Sequence, residues 1–246
     1  MRLDGKVAIV TGAGRNIGEA IAHAFAEEGA RVAVVDWLEE RAQTVAGAIN
    51  AEREGAALAV TCDVTVGGDV ERMVGDVVGR WGRIDVLVNN VGVVDRTNVL
   101  ELPESEWDRV IGVSLKSVFL CTKYAAKQMV EQGDGGRIVN LASTSGHRGR
   151  DNATAYPAAK GGVLNLTRAL AVQLAQYAIR VNSITPNRVL TEAEPGAPDR
   201  NRPVDNLIGR PCMPRDVALA AVFLASADAD FITGIDLPVD GGVLAR

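Results

Sequence analysis

Two side chains stand out for their types and spacing. Tyr156 and Lys160 lie four residues apart in Tyr156-Pro-Ala-Ala-Lys160. Four residues make about one helical turn, so on a helix the two share a face. An ammonium near a phenol stabilises the phenolate and lowers its pKa. Unaided, a tyrosine is too weak a base; with that lysine and a further positive charge nearby, it could exchange a proton near neutral pH.

A second constellation indicates where such a charge would come from. The apolar run 7–10 reads as a buried strand and breaks into a turn holding Gly12 and Gly14. An amphipathic helix follows, with Ile17, Ala20, Ile21, Ala24 and Phe25 on one face. Strand, glycine turn and helix form the phosphate-binding start of a dinucleotide-binding unit: the glycines let the backbone approach a pyrophosphate, and the helix N-terminus offers free N–H groups. The glycines run G-x-G-x-x-x-G, one residue longer than the standard fingerprint, so the turn alone is a modest signal. The strand at 31–36 strengthens it, because it ends in Asp36 at the distance expected of the acid that grips the adenosine ribose. That carboxylate would repel a 2′-phosphate, favouring NAD over NADP. Arg15 in the turn could pair with such a phosphate, but one exposed arginine returns less than the carboxylate costs. An oxidised nicotinamide ring would be the positive charge beside Tyr156.

Composition bounds the rest. The 246 residues carry a formal charge of −5, which with the absence of any basic run argues against a nucleic-acid partner. Hydrophobic residues are 47% of the chain, enough for one sizeable core, yet no apolar run approaches the roughly 20 residues that cross a bilayer. Met1-Arg-Leu-Asp-Gly-Lys leads straight into the first strand, with no signal peptide visible. Cys62, Cys121 and Cys212 are odd in number and fit no metal or redox spacing. The expectation is a cytoplasmic protein without a metal, associated with neither membrane nor nucleic acid.

The elements that position the candidate residues alternate. Further strands are predicted at 58–63, 84–90, 137–141, 180–184 and 235–239, making about seven. Helices are predicted at 39–53, 70–81, 105–130 and 156–177, and from Pro214, which suits a first helical turn. Apolar strands alternating with helices imply a parallel sheet covered on both faces: one doubly wound, Rossmann-type α/β domain over residues 1–246. Its ligand belongs at the carboxyl ends of the strands. Asn89-Asn90-Val91-Gly92, Ser143-Thr-Ser-Gly146 and Pro186-Asn187 follow the fourth, fifth and sixth strands and fall on that edge. Residues 186–213 read as a loop over the substrate.

Over its full length the chain resembles the short-chain dehydrogenase/reductase family. The family's T-G-x-x-x-G-x-G is Thr11 to Gly18 with one change, its N-N-A-G is Asn89-Asn-Val-Gly92, its Y-x-x-x-K is Tyr156 and Lys160, and its ending is Val-Asp-Gly-Gly242. Its serine, thirteen residues before the tyrosine, is Ser143. The resemblance implies hydride transfer between NAD(H) and a secondary alcohol or ketone. Ser143 would donate a hydrogen bond to the substrate oxygen and Tyr156 would exchange the proton. Lys160 would hold the nicotinamide ribose and depress the tyrosine pKa. Cofactor contacts are implied for Gly12, Gly14, Arg15, Asn16, Ile17, Gly18, Asp36 and Trp37. They continue through Asp63 and Val64 by the adenine, then Asn90, Val91, Gly92, Pro186, Asn187, Val189 and Thr191. Family members are often homotetramers, packed through the helices that contain Ser105 and Tyr156.

Three positions depart from the pattern. The family's middle glycine is Asn16, and asparagine tolerates left-handed angles better than most residues. The glycine after Pro186 is Asn187, for which the same argument holds. The family's asparagine in V-N-L is Ser114 within Val113-Ser-Leu115; its hydroxyl can donate and accept, so the expectation is that it keeps a proton relay to the lysine through water.

Substrate contacts are expected from Val93, Val94, Ser143, Ser145, His147, Tyr156 and Asn187. The 186–213 loop is polar, with no aromatic residue, which points to a small polar alcohol such as a sugar or hydroxy acid. His147, Arg148 and Arg150 could meet an anionic group, although solvated arginines explain the sequence as well. The alternatives are a non-catalytic NAD-binding relative, a reductase of an aryl or other apolar ketone, and an epimerase or dehydratase on the same fold. The last usually has more chain after the sixth strand.

Overall fold

Runs of β-branched residues build one seven-stranded sheet, seen in a computed structural model that describes residues 1–190 and 204–246. The strands are β1 (Val7–Thr11), β2 (Arg31–Asp36), β3 (Ala57–Thr61), β4 (Val86–Asn89), β5 (Gly136–Leu141), β6 (Ile179–Pro186) and β7 (Asp236–Val239). All pairings are parallel, in the order β3-β2-β1-β4-β5-β6-β7. Parallel neighbours need crossovers, supplied here mainly by helices: α1 (Asn16–Glu27), α2 (Glu39–Glu52), α3 (Gly67–Trp81), α4 (Glu104–Ile111), α5 (Ser117–Gln132), α6 (Ala155–Leu174) and α7 (Pro214–Ala225).

Alternation along the strands divides the core into two layers. Ala8, Val10, Val32, Val34, Val86 and Val88 face α1, α2 and α7, where Phe25, Ile49 and Val222 are buried. Val7, Ile9, Ala33, Val35 and Leu87 face the other way, onto Met73, Val77, Cys121 and Met129 of α3 and α5. The strand order reverses between β1 and β4, and the crevice beyond their carboxyl ends is where a doubly wound sheet binds its ligand.

The predicted strands and helices are all present, with ends shifted by at most three residues. The helix expected over 105–130 differs in kind. Its path is continuous, but Gly112–Lys116 form a π turn between α4 and α5, with Ser114 fully buried inside it. Such a wide turn re-aims side chains within a helix and is frequent at functional sites.

Of the two asparagines expected to replace glycine in left-handed backbone, one does so. Asn16 has φ 55° at the start of α1. Asn187 does not have a positive φ; Asn16 and Ala178 are the non-glycine residues that do, among those described. The Asn187 side chain accepts a hydrogen bond from Thr144 Oγ1 at 3.2 Å, tying the end of β6 to the segment after β5.

Candidate active site

The glycine turn is shaped by close approaches. A Cβ at Gly18 would lie 2.1 Å from the Gly12 carbonyl oxygen, so only glycine lets α1 pack on the turn. A Cβ at Gly14 would lie 2.7 Å from Asp36 Oδ2. That carboxylate accepts hydrogen bonds from Gly14 N and Leu38 N, each at 3.1 Å, which holds it beside the turn. α1 has no side-chain cap: Arg15, at the N-cap, is extended and makes no cap hydrogen bond, and the N-terminus of such a helix suits an anion. A bare cradle with an acid at its edge fits a dinucleotide pyrophosphate and its adenosine ribose. Beyond the ends of β2 and β3, Trp37 is 70% exposed, Asp63 is exposed and Val64 is buried. Asp63 Oδ1 accepts from Thr65 N and Thr65 Oγ1.

Asn90 shapes the cradle rather than reaching into it. Its Nδ2 donates to the carbonyls of Thr11 at 3.0 Å and Gly12 at 3.1 Å, while its own N donates to Thr11 Oγ1 at 3.0 Å. Val91 packs under Gly12, where a Cβ would meet its Cγ2 at 3.1 Å.

α6 carries Tyr156 and Lys160 on one face, as their spacing requires. Lys160 is 3% exposed and donates to the Leu141 carbonyl at 2.5 Å. Among the described residues no carboxylate pairs with it, and burial pulls its pKa down to about 8. Its Nζ stands 5.8 Å from the centre of the Tyr156 ring. Burial pushes the Tyr156 phenol above its usual value, while a hydrogen bond with Ser143 and the charge of Arg150 act the other way. Ser143 Oγ also accepts from Ser145 N at 3.2 Å, which fixes the hydroxyl at the end of β5. A hydroxyl donor, a phenol and a buried ammonium together can bind an alcohol oxygen and move its proton.

Residues 91–98 form the wall facing them. Ser114 Oγ accepts from Val93 N at 3.0 Å and donates to Val93 O at 3.1 Å. Its single hydrogen is thus committed to the backbone, so passing a proton would require breaking that bond. Gly92 leaves space at this point: a Cβ there would stand 3.2 Å from Lys160 Nζ and 3.7 Å from Ser114 Oγ. Val94 is exposed on the same wall. Asp95, which motif reading passed over, is buried and accepts from the Thr154, Ala155 and Tyr156 amides. A lone acid at the end of a Gly-Val-Val run gives no hint in the sequence of a partner some sixty residues away.

Other expected contacts are placed elsewhere. His147 Nε2 lies 2.9 Å from Asp236 Oδ2, which ties the imidazole to β7. Asp236 Oδ1 also takes the hydroxyls of Ser183 and Thr185. Val189 pairs with Cys212 and packs on the core. Pro186 is the buried last residue of β6. Thr191 and most charged residues of the 186–213 loop lie outside the described residues. The returning part of that loop is less polar than expected, with Leu207 and Ile208 largely exposed. It borders a cavity of about 400 Å³ lined by Ile208, Arg210, Cys212, Val239 and Gly242, and Ser143, Tyr156 and Lys160 do not line it.

Comparison with known proteins agrees with this geometry. A family model described as enoyl-(acyl carrier protein) reductase matches residues 12–244. Meso-2,3-butanediol dehydrogenase of Serratia marcescens is 43% identical over 100% of this chain and 97% of its own. D-threitol dehydrogenase of Mycolicibacterium smegmatis is 42% identical over 98% and 94%. A short-chain type dehydrogenase/reductase from Mycobacterium marinum superposes with a TM-score of 0.94 at 38% identity, covering 99% of this chain and 97% of that one. A 3-ketoacyl-(acyl-carrier-protein) reductase from Brucella melitensis, complexed with NADH, gives 0.91 at 38% identity over 98% and 99%. Fold and site together define an oxidoreductase that uses a nicotinamide dinucleotide. The chain belongs to the short-chain dehydrogenase/reductase family.

Lys160 makes the site costly to keep. Its pKa falls from 10.5 unfolded to about 8 folded, so between those values the unfolded chain binds the extra proton and stability rises with pH. Below about pH 8 the penalty, about 3 kcal/mol, is present in full. Lys160→Met should therefore stabilise the cofactor-free protein at pH 7 by about 1–3 kcal/mol, allowing for the Leu141 carbonyl losing its donor. The gain should shrink by about 2 kcal/mol at pH 9.5. Urea denaturation at both pH values measures it; no gain at pH 7 would mean that burial of the ammonium carries no such cost.

Proposed function

We propose that this enzyme interconverts a small polar secondary alcohol and its ketone with NAD(H). The observation that carries the reading is the pairing of Tyr156 with the buried Lys160, whose Nζ stands 5.8 Å from the phenol ring, on α6 at the carboxyl edge of the sheet near Ser143 and the glycine cradle. A nicotinamide dinucleotide in that cradle supplies hydride exchange with the carbinol carbon. Ser143 Oγ donates a hydrogen bond to the substrate oxygen and orients it. Tyr156 Oη takes the hydroxyl proton in oxidation and returns it in reduction. Lys160, charged when the site is filled, holds the ribose and offsets the burial that raises the phenol. Ser114 anchors the Val93 wall against which the substrate rests. Relatives named for butanediol and threitol support a polyol-like substrate, and the comparisons give no support to a non-catalytic reading.

The test is NADH formation at alkaline pH with meso-2,3-butanediol, threitol, sorbitol, hydroxy acids and aryl alcohols. Activity should concentrate on the small polyols, and Tyr156→Phe should lower kcat by about 10²–10⁴-fold. Preference for aryl alcohols would favour the apolar-ketone reading, and full activity in Tyr156→Phe would remove the phenol from the chemistry.

Asp36 supports NAD over NADP. Like charges brought together cost several kcal/mol, so kcat/KM should favour NAD by at least about 100-fold, and Asp36→Ser should bring the ratio toward unity. A wild-type enzyme using both cofactors equally would overturn this assignment.

The proposed assembly is a homotetramer through the α4–α5 and α6 faces. Trp107, Phe119 and Val172 are exposed there, at 38%, 48% and 80%, more apolar surface than solvated helices usually leave open. Val163 and Leu164 on α6 belong to the core. Sedimentation should give a mass of about four 25.9 kDa chains; a monomer would exclude this packing.

A further inference from the structure

α6 begins without a cap of its own. Thr154 stands at its N-cap with φ −112° and ψ −52° and makes no side-chain cap hydrogen bond. The first amides of a helix have no intrahelical acceptor, and leaving them unmet inside a protein is unfavourable. Here they are met from another part of the chain. Asp95 Oδ2 accepts from Thr154 N at 2.7 Å and from Ala155 N at 3.1 Å, and Oδ1 accepts from Tyr156 N at 2.8 Å. Thr154 Oγ1 adds a bond to the Thr97 carbonyl at 3.3 Å. Asp95 is 2% exposed. Burial alone would raise its pKa, but the backbone donors outweigh it and hold the carboxyl below its usual value. A charged carboxylate also suits the positive end of the helix.

The third of those amides belongs to Tyr156 itself. A tyrosine reaches its hydroxyl through a rigid ring, so the position of its backbone sets where Oη can stand. The wall carrying Asp95 is fixed in turn, through Val93, to Ser114 in the π turn. We propose that Asp95 is a positioning residue, whose carboxylate fixes the Tyr156 backbone so that the phenol stands beside Ser143 and over Lys160. This rests on the reading of Tyr156 as the proton-transferring group.

The test compares Asp95→Ala, Asp95→Asn and Ser226→Ala, the last removing a buried hydroxyl that accepts from Asp228 N beyond α7, far from the site. Misplacement of a reacting group by about 1 Å can cost about 100-fold, so Asp95→Ala should lower kcat at least about tenfold, with KM and NADH affinity by fluorescence titration changed less than about threefold. Asp95→Asn keeps one carbonyl acceptor and should recover part of the loss, and Ser226→Ala should keep wild-type kcat. Wild-type kcat in Asp95→Ala, an equal loss in Ser226→Ala, or a loss explained by weaker NADH binding would each overturn the proposal. If Asp95→Ala does not fold, Asp95→Asn decides: kcat lowered at least about threefold at unchanged NADH affinity supports the proposal, and wild-type kcat overturns it. If the wild-type enzyme oxidises no alcohol tested, the functional reading fails separately. Hydrogen exchange at amides 154–156 then judges the clasp: at least about tenfold faster exchange in the Asp95 variants sustains it, and unchanged protection ends it.

Discussion

The site depends on one junction, where Asn90 closes the end of β4 onto the end of β1. Thr11 Oγ1 donates to the Val88 carbonyl, and the Asn90 amides donate back to Thr11 Oγ1 and to the carbonyls of Thr11 and Gly12. Four hydrogen bonds lock two adjacent strands where the strand order reverses. On the β1 side the chain becomes the glycine cradle; on the β4 side it becomes the wall opposite Tyr156. A shift between these strands would move the glycine cradle against Tyr156 and Lys160. Because the junction uses backbone carbonyls that would otherwise face the crevice, it also satisfies groups that burial would leave unmet.

Polar groups buried nearby follow the same logic. Asn89 and Asn140 lie opposite each other on β4 and β5, and Nδ2 of each donates onward, from Asn89 to Asn140 Oδ1 and Thr122 and from Asn140 to Thr167. The chain runs across the sheet from α5 to α6 and pins the helix that carries Tyr156. Two groups are exceptions among the described residues: Asn89 Oδ1 is buried without a hydrogen-bond partner, and Lys160 Nζ donates to a backbone carbonyl with no carboxylate paired to it. The fold accepts the burial of an uncompensated charge at this point, as functional sites do when a group must keep a perturbed pKa.

Local signals in the sequence were enough for the sheet, the glycine turn and the face shared by Tyr156 and Lys160. Each arises within one strand–turn–helix or one helical turn, so period and spacing specify it. The left-handed Asn16 was legible for the same reason, because the turn geometry is local. Contacts between distant segments were not legible. Asp95 meets α6 across some sixty residues, and His147, adjacent to the serine segment, is drawn to Asp236 on β7. Asn187 matched a glycine position without adopting its backbone, since its side chain found Thr144 instead. The π turn was hidden because the residues around it keep a helical pattern on both sides.

Ser114 and Gly92 explain one another. A serine is shorter than an asparagine, and its hydroxyl is fully engaged with the Val93 backbone, one residue beyond Gly92. This contact brings the wall close to α6, and the absence of a side chain at Gly92 lets it come that close. A methyl group at position 92 would stand 3.2 Å from Lys160 Nζ, tighter than ordinary packing, and would press on the ammonium or push the wall away from Ser114. The wall is thus set between two helices by side chains that grip backbone, Ser114 from one and the α6 amides on Asp95 from the other. Residues 92, 95 and 114 therefore form one mechanical unit, and a change at any of them should be judged by its effect on Tyr156 and Lys160 rather than by its own exposure or charge.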